Sequence, residues 1–185
     1  MGEPFLNWPA VKEALEILND KEGMNISARS LSVSTCGLPA GIFDLIKFPL
    51  PVNLAISLHA ATDNLRQKLM PVAQRYKIRK LWEALKDYLN IKNRKVMIEY
   101  LMINEVNDSP LDAKKLAELI LELPLNLAVV NLIPYNETGK FKSSPLVRVK
   151  RFKTELNKYG IEVTIRESAG GKISGACGQL AGRTK

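Results

Sequence analysis

At 185 residues, with 46% apolar and 25% charged side chains, the chain has the size and composition of one soluble domain able to bury a core. A net charge of +8 attracts polyanions such as RNA or DNA where the basic groups cluster, although a basic protein with no nucleic-acid role carries the same charge. Two widely spaced cysteines exclude a disulfide framework, the first residues lack the regions of a signal peptide, and no apolar run is long enough to span a membrane, so a cytoplasmic protein is expected.

Strand and helix patterns alternate along the chain. Asn7-Trp8-Pro9 opens a helix with proline near its first turn, and Val11, Leu15, Ile17 and Leu18 give it an apolar face. Arg29 to Ser34 reads as a short strand, Thr35-Cys36-Gly37 as a turn and Pro39 to Lys47 as a short helix. Val52 to Leu58 is a nearly continuous apolar run, as in a strand buried on both faces, with His59 at its end. Helices are expected over Thr62 to Leu69 and Ile78 to Leu89, the second carrying Leu81, Trp82, Leu85 and Leu89 at helical spacing.

Lys95 to Ile103 is a third strand, with Val96, Ile98, Tyr100 and Met102 alternating. Asn107-Asp108-Ser109-Pro110 starts a helix that turns Leu116, Leu119 and Ile120 inward and stops by Pro124. Leu127 to Ile133 is a fourth strand, and Pro134 to Ser144 a polar loop. A helix from Ser144-Pro145 to Tyr159 is terminated by Gly160, and a fifth strand covers Glu162 to Arg166. Such alternation argues for a parallel sheet or barrel. One domain over residues 1–185 is expected. Glu3-Pro4 stands immediately before a helix where a strand should precede, and so few strands do not close a barrel. The chain therefore reads as part of a larger protein.

In an α/β barrel, chemistry collects at the C-terminal ends of the strands. There this chain offers Ser34-Thr35-Cys36-Gly37, Ser57-Leu58-His59 and Asn136, with Gly2-Glu3-Pro4 placed to follow an absent strand. This mixture of hydroxyls, imidazole, carboxamide and carboxylate suits a polar cofactor better than a single acid–base pair. His59 and the two serines read equally as hydrogen-bonded strand-end groups, and Cys36 as a small buried residue. Cys36, His59 and Cys177 have no short metal-ligand spacing, so no metal site is expected. Cys177 lies in the glycine-dense run Gly170 to Gln179, where Lys172 and Arg183 could lower its pKa; it reads as a reactive thiol or an inert one. Lys140, Lys142, Arg148, Lys150, Arg151, Lys153 and Lys158 gather late in the chain with Tyr135 and Phe141 among them. They suit RNA phosphates and unpaired bases, or simply a solvated helix face.

The runs Met1-Gly2-Glu3-Pro4, Ser34-Thr35-Cys36-Gly37, Ala55-Ile56-Ser57-Leu58-His59-Ala60, Val106-Asn107-Asp108, Asn131-Leu132-Ile133-Pro134-Tyr135-Asn136 and Ala176-Cys177-Gly178-Gln179-Leu180-Ala181-Gly182 together resemble the RlmN/Cfr family of radical SAM RNA methyltransferases. The resemblance implies a partial radical SAM (β/α)6 barrel of α/β class. It would hold the last four barrel strands plus an extra C-terminal strand, without the N-terminal strands and accessory domain. It implies S-adenosylmethionine contacts at Gly2, Glu3, Ser34, Ser57, Leu58, His59 and Asn136. Cys177 would be the methylated catalytic cysteine that delivers carbon to adenine C2 of 23S rRNA and of certain tRNAs, or to C8 in a Cfr-like enzyme. A 4Fe–4S cluster and a flavodoxin-like reductant are implied for the full-length enzyme. The cluster cysteines, the resolving cysteine and the acidic proton acceptor of the family are absent from this sequence, so the isolated chain is expected to be inactive. Two other readings stay open: a non-catalytic RNA-binding remnant using the basic helix, and an ordinary barrel enzyme acting on a small anion.

Overall fold

The computed structural model describes residues 2–137 and 140–166. After a 3-10 turn over Pro4–Asn7, the elements are α1 (Trp8–Asn19), β1 (Ser32–Thr35), α2 (Pro39–Lys47), β2 (Asn53–Ser57), α3 (Asp63–Leu69), α4 (Ile78–Lys92), β3 (Val96–Met102), α5 (Pro110–Ile120), β4 (Ala128–Pro134), α6 (Leu146–Asn157) and β5 (Glu162–Ile165). The five strands form one sheet in the order β1-β2-β3-β4-β5, every neighbouring pair parallel. Strand order that never reverses is the arrangement of a barrel segment, not of a doubly wound sheet with a switch point. Four strands and a further fifth are what the motifs led one to expect.

The core explains the arrangement. Leu54 and Ile56 of β2, Val96, Ile98, Tyr100 and Met102 of β3, and Ala128, Val130 and Leu132 of β4 are wholly buried. They pack with Leu81, Leu85, Leu116, Ile120, Phe152 and Leu156 of the helices in one cluster. Side chains alternate across a strand, so the residues between them form the opposite face. That face is partly open among the described residues: Met97 is 40% exposed, and Ser34 and Thr164 are exposed too, whereas Ala55, Glu99, Val129 and Asn131 are buried on it.

Local signals account for most element ends. Ser109 caps α5 through a reciprocal capping box with Asp112, and Pro110 occupies its first turn. Asn93 ends α4 in the left-handed conformation. Some expectations need correcting. The first strand begins at Ser32, because Ala28–Ser30 forms a 3-10 turn. Ile17 is 58% exposed and off the buried face of α1, which Leu15 and Val11 occupy. The last helix spans Leu146–Asn157, shorter at both ends than its flanking proline and glycine suggested.

Candidate cofactor site at the strand ends

All strands being parallel, their C-terminal ends lie on one edge of the sheet, and every described residue expected to bind cofactor lies on or beside that edge. The backbone there is held by side chains. Thr35 Oγ1 donates to Glu3 Oε1 at 2.7 Å, and the Cys36 amide donates to Glu3 Oε2 at 2.7 Å. Glu3 also accepts from the Phe5 amide at 3.2 Å, so its carboxylate ties the N-terminal segment to the end of β1. Phe5 anchors the same segment by burying its ring beside Gly41, whose missing side chain makes the room: a Cβ there would sit 2.1 Å from Phe5 Cγ.

Arg66 of α3 is the main fastening between β1 and β2, and nothing in the sequence reading singled it out. It is wholly buried. Its guanidinium donates to the carbonyls of Cys36 (2.6 Å), Tyr76 (3.2 Å), Leu58 (3.3 Å) and Ser57 (3.4 Å).

His59 sits in the left-handed region with φ +59, a conformation uncommon for histidine. Its amide donates to the Glu99 carbonyl, and its own carbonyl accepts from Asn107 Nδ2 at 2.9 Å. The imidazole Nδ1 accepts from the Leu101 amide at 3.2 Å. Burial, and next the charge of Arg66, push the imidazole down to about 4. The ring is therefore neutral at physiological pH, with its proton on Nε2 as a single donor. Asn107 is the third fastening: wholly buried, it also donates to the Leu101 carbonyl at 2.6 Å and accepts from the Ile103 amide at 2.8 Å. The Val106-Asn107-Asp108 run is thus architectural. Asp108 accepts from Ser144 Oγ at 2.8 Å and pairs with Arg148 at 3.0 Å, drawing α6 toward the end of β3.

Ser34 and Ser57 project from the open face, where their hydroxyls can meet a ligand. The Leu58 side chain is wholly buried; its amide donates to the Glu99 carbonyl at 3.0 Å and its carbonyl accepts from Arg66, so its part is to shape the turn. Gly2 is exposed at the edge, and Asn136 follows β4, half-buried. Cys36 is half-buried, and burial followed by the neighbouring Glu3 pushes its thiol up to about 11, which makes it a poor thiolate. Among the described residues no three His, Cys, Asp or Glu side chains gather as a metal site. The hydroxyls, neutral imidazole and fixed backbone fit a polar nucleoside cofactor. Cys177 lies outside the described residues. No described helix is long and apolar enough to cross a membrane.

No family model matches the chain. Individual proteins do. The structure matches the crystal structure of a radical SAM methyltransferase from Sphaerobacter thermophilus with TM-score 0.92 and 44% identity, over 97% of this chain and 52% of that one. A domain of pyruvate-formate lyase-activating enzyme from Bacteroides vulgatus shares the fold alone, with TM-score 0.67 and 18% identity over 90% of this chain and 96% of that domain. The 44% identical Sphaerobacter structure, matched over 97% of this chain, therefore places it in the radical SAM methyltransferase class. It is 47% identical over 190 residues to the "Probable dual-specificity RNA methyltransferase RlmN" of Roseiflexus sp. (strain RS-1), covering 98% of this chain and 48% of that protein. A protein of the same name from Caldicellulosiruptor saccharolyticus is 46% identical over 184 residues, covering 98% and 53%. The chain belongs to the RlmN family of radical SAM methyltransferases, and it spans about half the length of the relatives it matches.

Proposed function

We propose that this chain supplies the cofactor-binding strand ends and the methyl-carrying cysteine of a cytoplasmic radical SAM RNA methyltransferase that methylates adenine C2 in 23S rRNA and in certain tRNAs. One observation carries the reading: Glu3, Ser34, Ser57, His59 and Asn136, scattered through the sequence, lie along a single edge of a parallel sheet. S-adenosylmethionine bound there would be the source of the methyl group. Ser34, Ser57 and the His59 Nε2–H orient it, while Glu3, Arg66 and Asn107 hold the backbone that presents them. Cys177 takes the methyl group on sulfur and passes its carbon to the base. The 4Fe–4S cluster and the flavodoxin-like reductant would act from outside the described residues. α6 supports an RNA substrate: Lys150 and Arg151 are exposed on it, and they line a groove with Pro110 and Phe152 whose α5 end lies beside the strand ends.

The test is to join the chain to the N-terminal half of a relative in cells lacking adenine-C2 methylation, and to quantify 2-methyladenosine in rRNA digests by mass spectrometry. The native sequence should restore it and Cys177→Ala should not. Equal amounts from both would refute the carrier role, and 8-methyladenosine alone would refute the C2 assignment.

A further inference from the structure

Beside Ser57, this face of the sheet carries a row of polar side chains that the cofactor contacts above do not use. Parallel register aligns Ser57 of β2, Glu99 of β3, Asn131 of β4 and Thr164 of β5. Register neighbours lie about 4.8 Å apart across a sheet. Three of the four are joined in one direction. Thr164 Oγ1 donates to Asn131 Oδ1 at 2.8 Å, and Asn131 Nδ2 donates to Glu99 Oε2 at 3.0 Å. This chain fixes the orientation of the amide and presents the carboxyl with Oε2 already engaged.

Oε1 accepts no hydrogen bond among the described residues, and Glu99 is only 9% exposed. Burial raises its pKa, opposed by the Asn131 bond and the charge of Arg166. A carboxyl at a largely buried strand position costs desolvation, and an aliphatic side chain would serve the fold at lower cost, while Oε1 keeps access to the open side: among the described residues the buried side-chain polar atom without a partner is Arg94 Nε. The carboxyl is held for something that lies against this face.

We propose that Glu99 is a ligand-binding residue of this site, its free Oε1 accepting a hydrogen bond from the ribose hydroxyls of the nucleoside cofactor, with Asn131 and Thr164 as positioning residues. The inference rests on the cofactor site proposed above. Its chemistry follows from the neighbours. Glu99 stands in register beside Ser57, so a group that reaches the serine hydroxyl has a second hydrogen-bonding group next to it. An adjacent acceptor and hydroxyl match a vicinal diol, and a carboxylate oxygen is a common partner of a ribose hydroxyl. An ammonium group fits less well, because Arg166 already lies near enough to act on the carboxyl. An internal RNA nucleotide has its 3′ oxygen esterified and offers no free diol, which favours the small cofactor over the RNA substrate.

The experiment is calorimetric titration of this chain with S-adenosylmethionine and with its 2′-deoxy counterpart, for the native sequence, Glu99→Gln and Thr164→Val. Circular dichroism confirms that each variant folds. The native chain should prefer the ribose ligand about tenfold, the effect of one good hydrogen bond. Glu99→Gln should bind S-adenosylmethionine about tenfold more weakly and lose the preference. Thr164→Val, at an exposed position, should lose part of it. A native chain that binds S-adenosylmethionine while Glu99→Gln keeps the same affinity and preference overturns the role of Glu99 and leaves the site standing. A native chain that takes up no S-adenosylmethionine at millimolar concentration overturns the site and this inference with it. A native preference for an RNA oligonucleotide that depends on Glu99, without one for the cofactor, overturns the choice of ligand.

Discussion

Arg66→Met removes the guanidinium and keeps most of the stem. The carbonyls of Cys36, Tyr76, Leu58 and Ser57 then lose their donor in a buried setting. The bonds at 3.3 and 3.4 Å are long and count for little. Those to Cys36 at 2.6 Å and Tyr76 at 3.2 Å are charge-assisted and contribute about 2 kcal/mol each. Burial disfavours the cation, as the lowered pKa of Arg66 records, so its removal offsets part of that loss. The expected net loss is about 3 kcal/mol, read as a lower urea midpoint at unchanged m-value. Arg66→Lys, which can reach fewer of these carbonyls, should recover part of the loss. If Arg66→Met unfolds within about 0.5 kcal/mol of the native chain, the carbonyls are satisfied without the guanidinium and the fastening role is wrong.

Gly41→Ala would press a Cβ to 2.1 Å from Phe5 Cγ. It should cost about 1–3 kcal/mol by thermal melting and free the Glu3 segment to proteolysis; an unchanged melt would show that Phe5 is not seated there. Asn107→Ala strips partners from the Ile103 amide and from the carbonyls of His59 and Leu101. A loss of about 3 kcal/mol is expected in denaturant unfolding. His59 titrates near 4 in the folded chain against 6.5 when free. The unfolded chain therefore binds the extra proton first as the pH falls. The stabilisation is complete above about pH 6.5 and is lost progressively toward pH 4, by up to about 3 kcal/mol. His59→Asn, which tolerates the left-handed backbone, should remove that slope in urea titrations at pH 7, 5.5 and 4.5; an identical slope in the variant would assign it to other groups.

The order of strands and helices was legible because this core separates the two periodicities well. Val96, Ile98, Tyr100 and Met102 alternate cleanly, and Leu81, Trp82, Leu85 and Leu89 recur at helical spacing. Element ends were less so: the 3-10 turn at Ala28–Ser30 has no marker distinguishing it from a strand. The strand-end motifs were visible as motifs, since loop residues carry their chemistry locally. The fastenings were not. Arg66 and Asn107 act on backbone groups brought near by long-range folding, and sequence spacing does not encode which carbonyl a side chain will meet. Glu99 and Asn131 did leave a trace, as polar residues within otherwise apolar strand runs, but only the register shows that they stand side by side.

The partners of Arg66 have a consequence for how this sequence can drift. Among the described residues the guanidinium donates its hydrogen bonds to main-chain oxygens, at Cys36, Ser57, Leu58 and Tyr76. Substitution at any of those positions leaves its hydrogen bonds available, so the neighbours are free to diverge without a matching change at Arg66. The reverse does not hold. A lost guanidinium cannot be compensated by exchanging one neighbouring side chain, because no neighbouring side chain was the partner. Tolerance around the clamp and intolerance at its centre are two effects of the same geometry, and a saturation mutagenesis map of residues 36, 57, 58, 66 and 76 should display that asymmetry.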